Sequence, residues 1–236
     1  MSSSVPALGT LVEGGSPLQA VLLDMDGTLV DTEGCWWDAE CEVFAELGHP
    51  LREEWRQFVV GGPMARSAGF LIEATRADIG LEQVSRLLNA RFVERLTRLG
   101  PSVPLMPGAG RLLEELAAHG LPAALVSASH RHVVDRMLLS LGATNFACTV
   151  AGDELERTKP HPDPYLTAAE RLGVDPSRCA VLEDTETGVV AAEAAGCRVV
   201  AVPSVAPIEA RGLRTVVRSL EEVDLAFLRS LITVAH

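Results

Sequence analysis

Lysine is nearly absent from this chain. A single one, Lys159, stands against nineteen arginines in 236 residues. A planar guanidinium and a compact ammonium are not interchangeable at a tight anionic site, so the lone lysine marks a place that needs a point charge; chance survival is the competing reading. Aromatic residues are also scarce, at 4%, so a core drawn from 47% hydrophobic residues must be built of Ala, Val and Leu. Positive charge is in deficit overall: the formal net charge of −12 argues against a nucleic-acid backbone as partner. It leaves room for a small phosphorylated substrate, because a bound metal and a few local cations override net charge. The five cysteines, Cys35, Cys41, Cys148, Cys179 and Cys197, are odd in number and include no CxxC pair. They read as reduced core thiols of a cytoplasmic protein. No run approaches membrane-span length, which argues against a membrane partner. The N-terminal MSSSVPALGTLVEGGSP has neither a basic start nor a long apolar stretch, so it is not a secretion signal. Residues 1–17 are expected to form a disordered tail. No internal repeats are found.

What is present is ordered along the chain. Strand-like apolar runs occur at Ala20–Leu23, Ala123–Val126, Cys148–Val150, Ala180–Leu182 and Val199–Val202. Helical patterns fall between them, at Gly108–His119, His130–Leu141, Pro162–Leu172 and Thr187–Ala195, with Gly120, Gly142, Gly173 and Gly196 where helices end. Strands alternating with helices predict an α/β fold with a Rossmann-like, doubly wound parallel sheet. From about Thr32 to Gly100 the rhythm changes to helical spacing alone, carried by Trp36, Trp37, Cys41, Phe44 and Leu47, then Phe70, Leu71, Ala74 and Ala77, then Val84, Leu87, Leu88, Phe92 and Leu96. This predicts a small all-helical cap at 32–100 inserted into a core of 18–31 and 104–236, with the proline-rich Pro101–Pro107 as the return hinge.

Three of the strands deliver polar residues at their C-terminal ends. AVLLDMDGT ends β-like in Asp24 and Asp26, which share one side while Met25 faces away. LVSAS ends in Ser127, and VLEDTETG in Glu183 and Asp184. Ligands of open α/β sheets bind beyond the carboxyl ends of strands, so these segments converge on one place. Lys159, in RTKPHPDPY before a helix start, reaches the same edge. Aspartates are hard oxygen ligands that suit Mg²⁺ rather than zinc. Hydroxyls from Thr28 and Ser127, a positive charge from Lys159 and a metal together describe a phosphoryl group in transfer. A carboxylate can also attack phosphorus to form an acyl-phosphate.

With these residues, the chain resembles the haloacid dehalogenase-like hydrolases in their Mg²⁺-dependent phosphatase branch. Asp24-Met25-Asp26-Gly27-Thr28 matches the DxDGT signature, and Ser127, Lys159 and Glu183-Asp184 follow in family order. Asp31-Thr32-Glu33 and KPHPDPY are similar to the subgroup of sugar-phosphate phosphatases and β-phosphoglucomutase, whose helical cap follows the first motif. The resemblance implies roles residue by residue. Asp24 is the nucleophile and a metal ligand. Asp26 protonates the leaving oxygen, then deprotonates the hydrolytic water, and binds metal through its backbone carbonyl. Ser127 and Thr28 hold phosphoryl oxygens, and Lys159 neutralises charge. Asp184 holds Mg²⁺, with Glu183 as a secondary or water-mediated ligand. Ala128 and His130 beside Ser127, and Arg66 in GGPMARS, are further candidate substrate contacts.

Each assignment has a plainer alternative. Ser127 serves equally as a helix cap. Glu183 serves as a cap or an arginine partner. Trp36 and Trp37 read as cap core more than as a substrate platform, and Arg66 as a solvated cation. Where sugar-phosphate mutases of this subgroup carry a histidine after the DTE-like segment, this chain has Trp36, which favours water as the acceptor. The expected activity is therefore hydrolysis of a small phosphorylated metabolite by a monomer, through an aspartyl-phosphate. A hexose-phosphate mutase, a silent binding protein on the same fold and a metal-free dehalogenase are the alternatives. The last leaves Asp26 and Asp184 without a purpose.

Overall fold

The computed structural model describes residues 18–59, 64–99, 103–204 and 206–232. Ala20–Leu23 forms β1, and all four of its residues are buried. Val21 and Leu23 pack with Leu125 and Leu182 on one side of the sheet, whereas Ala20 and Leu22 pack with Ala124 and Val181 on the other. A strand buried on both faces belongs inside a parallel sheet covered by helices on each side.

Among the described residues that sheet has six strands. After β1 come four helices, α1 (Glu33–Glu46), α2 (Arg56–Val59), α3 (Met64–Thr75) and α4 (Leu81–Leu99), then α5 (Ala109–Ala118). The remainder alternates: β2 (Ala123–Val126), α6 (Arg131–Leu141), β3 (Cys148–Val150), α7 (Asp163–Leu172), β4 (Cys179–Glu183), α8 (Glu186–Ala194), β5 (Arg198–Ala201), β6 (Arg214–Val216) and α9 (Leu225–Leu231). The order is β3-β2-β1-β4-β5-β6 and every pairing is parallel. α5, α6 and α9 cover one face through Leu112, Leu116, Met137 and Leu228. α7 and α8 cover the other through Tyr165, Ala168, Val189 and Ala192. The fold is thus the doubly wound α/β sheet expected. Its strand order reverses between β1 and β4, the switch point where such sheets open a crevice.

The four expected helix-ending glycines all take positive φ. Two elements escaped the sequence reading. β6 is three residues long and begins with Arg214, a buried guanidinium held by Glu186 and Glu193 of α8. α9 is two turns, too short to show a period. The cysteines need a correction as well: Cys179 and Cys197 are buried, but Cys35, Cys41 and Cys148 are only half-buried.

Among the described residues, no strand lies between β1 and β2. The helices there have a cluster of their own, centred on Trp37, Phe44, Leu71, Val84 and Leu88. α1 is fastened to α4 by Trp36 stacked on Phe92, with ring centroids 3.8 Å apart and planes 9° from parallel. Arg95 of α4 adds ion pairs to Asp38 and Glu42, each at 2.7 Å. Ala39, Phe92 and Leu96 join the sheet's own cluster. The two chain crossings run side by side: Asp31 N donates to Pro104 O and Met106 N to Leu29 O, both at 2.9 Å. The tail expected at 1–17, Gly61-Gly62-Pro63 of the GGPMARS segment and positions 101–102 of the expected hinge lie outside the described residues.

Candidate active site

The acidic residues gather where the switch point predicts. Asp24 follows β1 directly, and its backbone N–H donates to Leu182 O at 3.0 Å, which fixes it beside the end of β4. Glu183 closes β4 and Asp184 follows. All three are buried, and one carboxylate oxygen from each lies within 4.8 Å of the others. Tight turning makes this approach possible. Gly27 has φ 78°, and a Cβ there would stand 2.2 Å from Asp184 Oδ2.

Lys159 enters this cluster as its cation. Its Nζ donates to Asp24 Oδ1 and Glu183 Oε1, both at 2.6 Å, and to Val126 O at 3.0 Å. Burial works against the ammonium, but the charges of Asp24 and Glu183 outweigh it and hold its pKa above the ordinary lysine value. Thr28 donates to Asp24 Oδ2 at 2.9 Å. Asp184 accepts from Ser204 Oγ at 2.6 Å. Glu183 is fully buried: Tyr165 donates to Oε1 at 2.5 Å, and Thr185 Oγ1 lies 3.3 Å from Oε2.

Asp26 has a different set of partners, although it is two residues from Asp24. Thr32 donates to Oδ1 at 2.9 Å and Ser129 to Oδ2 at 2.8 Å, with Ser127 farther away at 3.4 Å. Thr32 is the N-cap residue of α1, yet its hydroxyl caps no backbone N–H and serves Asp26 instead. Burial raises the pKa of Asp26 despite these three donors. Burial also raises Asp24 and lifts Asp184 to about 7, the charge of Glu183 adding to both. Three buried acids sharing one ammonium are short of positive charge, which is the condition a hard divalent cation relieves.

The other sequence candidates divide. Ser127 is buried and accepts from Ser129 N at 3.0 Å. It does not cap α6, whose N-cap is His130. Ala128 and His130 are exposed on that loop. Arg131, next in the chain, is bound to Glu154 at 2.6 Å and Thr149 at 2.9 Å. Arg66 is exposed on α3 and makes no hydrogen bond or ion pair to the acidic cluster among the described residues. Trp37 is buried and Trp36 half-buried against Phe92.

Sequence reasoning gave no role to Thr32, Ser129, Tyr165, Thr185 or Ser204. Two of them carried a signal: Thr32 lies in the Asp31-Thr32-Glu33 segment, and the chain's one tyrosine lies six residues beyond its one lysine.

Residues 21–202 match the family model described as haloacid dehalogenase-like hydrolase. A bifunctional riboflavin kinase/FMN phosphatase of Arabidopsis thaliana is 33% identical over 186 residues, covering 78% of this chain and 48% of that longer protein. Hexitol phosphatase B of Escherichia coli strain K12 is 31% identical over 191 residues, 78% of this chain and 83% of its own length. Among solved structures, CbbY from Rhodobacter sphaeroides in complex with xylulose-(1,5)bisphosphate superposes with a TM-score of 0.74 at 28% identity, covering 89% of this chain and 99% of that one.

Proposed function

This chain belongs to the haloacid dehalogenase-like hydrolase family, and we propose that it hydrolyses a small phosphate monoester, a sugar phosphate by class, through an aspartyl-phosphate on Asp24. One observation carries the reading: Lys159 holds Asp24 at 2.6 Å while Asp26, two residues on, is held apart by Thr32 and Ser129. Two neighbouring carboxylates therefore have separate environments, as nucleophilic and acid–base roles require.

Lys159 opposes the burial that raises Asp24 and so favours its ionised form, and Thr28 orients its second oxygen. Asp24 then bonds to phosphorus as the bond to the leaving oxygen breaks. Asp26 supplies a proton to that oxygen. Its raised pKa keeps more of it protonated than an ordinary aspartate near neutral pH. In the second half, Asp26 takes a proton from water as the water oxygen attacks phosphorus. Inorganic phosphate leaves and Asp24 is restored. Ser127, the Ala128 backbone and Lys159 are the phosphoryl contacts, with His130 and Arg66 as outer candidates.

Asp24 and Asp184 are the residues that would hold Mg²⁺, along with the backbone carbonyl of Asp26 and with Glu183 as a secondary or water-mediated ligand. Bound there, the ion supplies charge neutralisation at the phosphoryl oxygens and relieves repulsion among the acids. The Asp26 carboxylate, held by Thr32 and Ser129, stays out of the metal cluster and is left for proton transfer.

We assign 32–100 as a cap and 18–31 with 104–236 as the catalytic core. The separate cluster under Trp37 and Phe44 and the paired crossings at Asp31 and Pro104 support this division. The substrate class draws on the hexitol phosphatase and on CbbY with its sugar bisphosphate. Water as final acceptor draws on Trp36, an indole with no acid–base function, packed on Phe92.

The test is phosphate release from a panel of phosphate esters, with and without Mg²⁺, by wild type and Asp24→Asn. Mg²⁺-dependent release that the substitution abolishes is the expected result. A folded protein that binds Mg²⁺ and releases phosphate from no ester would overturn the proposal.

A further inference from the structure

Tyr165 stands under the site, closed off from solvent. It is fully buried on α7, and its hydroxyl donates to Glu183 Oε1 at 2.5 Å. That same oxygen accepts from Lys159 Nζ at 2.6 Å. The ammonium also lies over the tyrosine ring, 5.1 Å from its centroid. Lys159 therefore has Asp24 ahead, Glu183 and the Val126 carbonyl beside it and the aromatic face beneath. A lysine side chain carries much rotamer freedom, and a compact ammonium has no fork geometry to orient it. Something else has to fix where the charge stands.

We infer that Tyr165 is the positioning residue of this site: it anchors Glu183, and through Glu183 and its own ring it sets the ammonium of Lys159 against Asp24. The inference rests on the phosphatase reading for its kinetic consequence, but not for its geometry. Three observations converge on it. A tyrosine hydroxyl buried this deeply needs a partner, and Glu183 is the one it has. Glu183 can swing beneath the helix that follows it only because Gly188 leaves the space, a Cβ there falling 1.9 Å from Glu183 Cδ. The ring face adds a cation–π contact in a buried setting, where such contacts are strongest. Thr185 holds the other Glu183 oxygen only at 3.3 Å, so the tyrosine is the closer anchor.

Tyr165→Phe is the direct probe, since it keeps the ring and removes only the hydroxyl. The chain's single lysine makes a second readout possible: ¹⁵N labelling at lysine yields one ammonium signal, and that signal is Lys159. In metal-free protein, the wild-type signal is expected to be sharp, and in Tyr165→Phe shifted and broadened by faster exchange with water. With a turned-over ester, kcat is expected to fall about tenfold with KM within about twofold, the loss of one hydrogen bond to a charged group. A merely structural role would lower the melting temperature and leave the lysine signal where it was. An unmoved signal overturns the inference, and so does an unchanged kcat. If wild type turns over no ester, the phosphatase reading fails separately and the lysine signal alone decides the positioning role.

Discussion

The Cα of Gly188 and the carboxylate of Glu183 contend for one space: a Cβ on Gly188 would stand 1.8 Å from Oε1 and 2.1 Å from Oε2. Gly188 sits in the first turn of α8, where its N–H is capped by Thr185 Oγ1 at 3.2 Å. The missing side chain lets Glu183 turn back under the helix that follows it, toward Lys159 and Tyr165.

Alanine is the better helix former, yet Gly188→Ala is expected to destabilise the protein by about 1–3 kcal/mol through overpacking. It should also cut phosphate release about a hundredfold, because a displaced Glu183 lets the Lys159 ammonium drift. Thermal unfolding and steady-state kinetics check both. A variant as stable and active as wild type would remove Glu183 from the positioning of Lys159.

The buried acids give the metal-free protein a pH dependence whose sign is fixed. Burial first, then the charge of Glu183, raises the folded-state pKa of Asp24 and takes Asp184 to about 7. A raised pKa means the folded chain holds protons the unfolded chain has lost, so stability is present at low pH and declines between about pH 4 and pH 7. Each pKa unit corresponds to about 1.4 kcal/mol. Lys159, raised above its ordinary value, loses its contribution only in strong alkali, outside this window. The expected result is a lower melting temperature at pH 8 than at pH 5 without metal, and recovery at pH 8 on adding Mg²⁺, which binds only the folded, ionised cluster. A metal-free protein that gains stability from pH 5 to pH 8, or one indifferent to Mg²⁺ at pH 8, would count against a metal site at Asp24, Glu183 and Asp184.

Glu40 offers an independent check outside the acidic cluster. It is buried on α1 between Trp37 and Phe44, and burial alone lifts its pKa to about 7. By the same sign argument it weakens the fold as pH rises through neutrality. Glu40→Gln, a neutral side chain of the same shape, should stabilise the Mg²⁺-loaded protein by about 2 kcal/mol more at pH 8 than at pH 5. Chemical denaturation at the two pH values measures the difference, and an equal effect at both would mean that Glu40 stays ionised throughout.

Much of this molecule could be read before it was folded. The runs around Val21, Leu125 and Val181 are short, apolar and spaced by helical patterns, and burial on both faces of a sheet leaves just that mark. Asp24, Ser127 and Asp184 each end such a run, so their meeting at one edge of the sheet follows from the parallel order. β6 and α9 were not legible, because three residues beginning with an arginine and two turns of helix carry too little periodicity.

By itself, then, the sequence determined which polar residues stand at the carboxyl edge and that one lysine serves them, since strand periodicity reports burial and direction. Who holds whom was decided by tertiary structure alone. That Asp24 takes Lys159 and Thr28 while Asp26 takes Thr32 and Ser129, that Ser204 reaches Asp184, and that Tyr165 lies under Glu183 all depend on the register of β1 against β4 and on the packing of α7 beneath them. Hydrogen bonds of about 3 Å are set by positions good to a few tenths of an ångström, and no pattern of residue types along a chain specifies distances between segments to that precision.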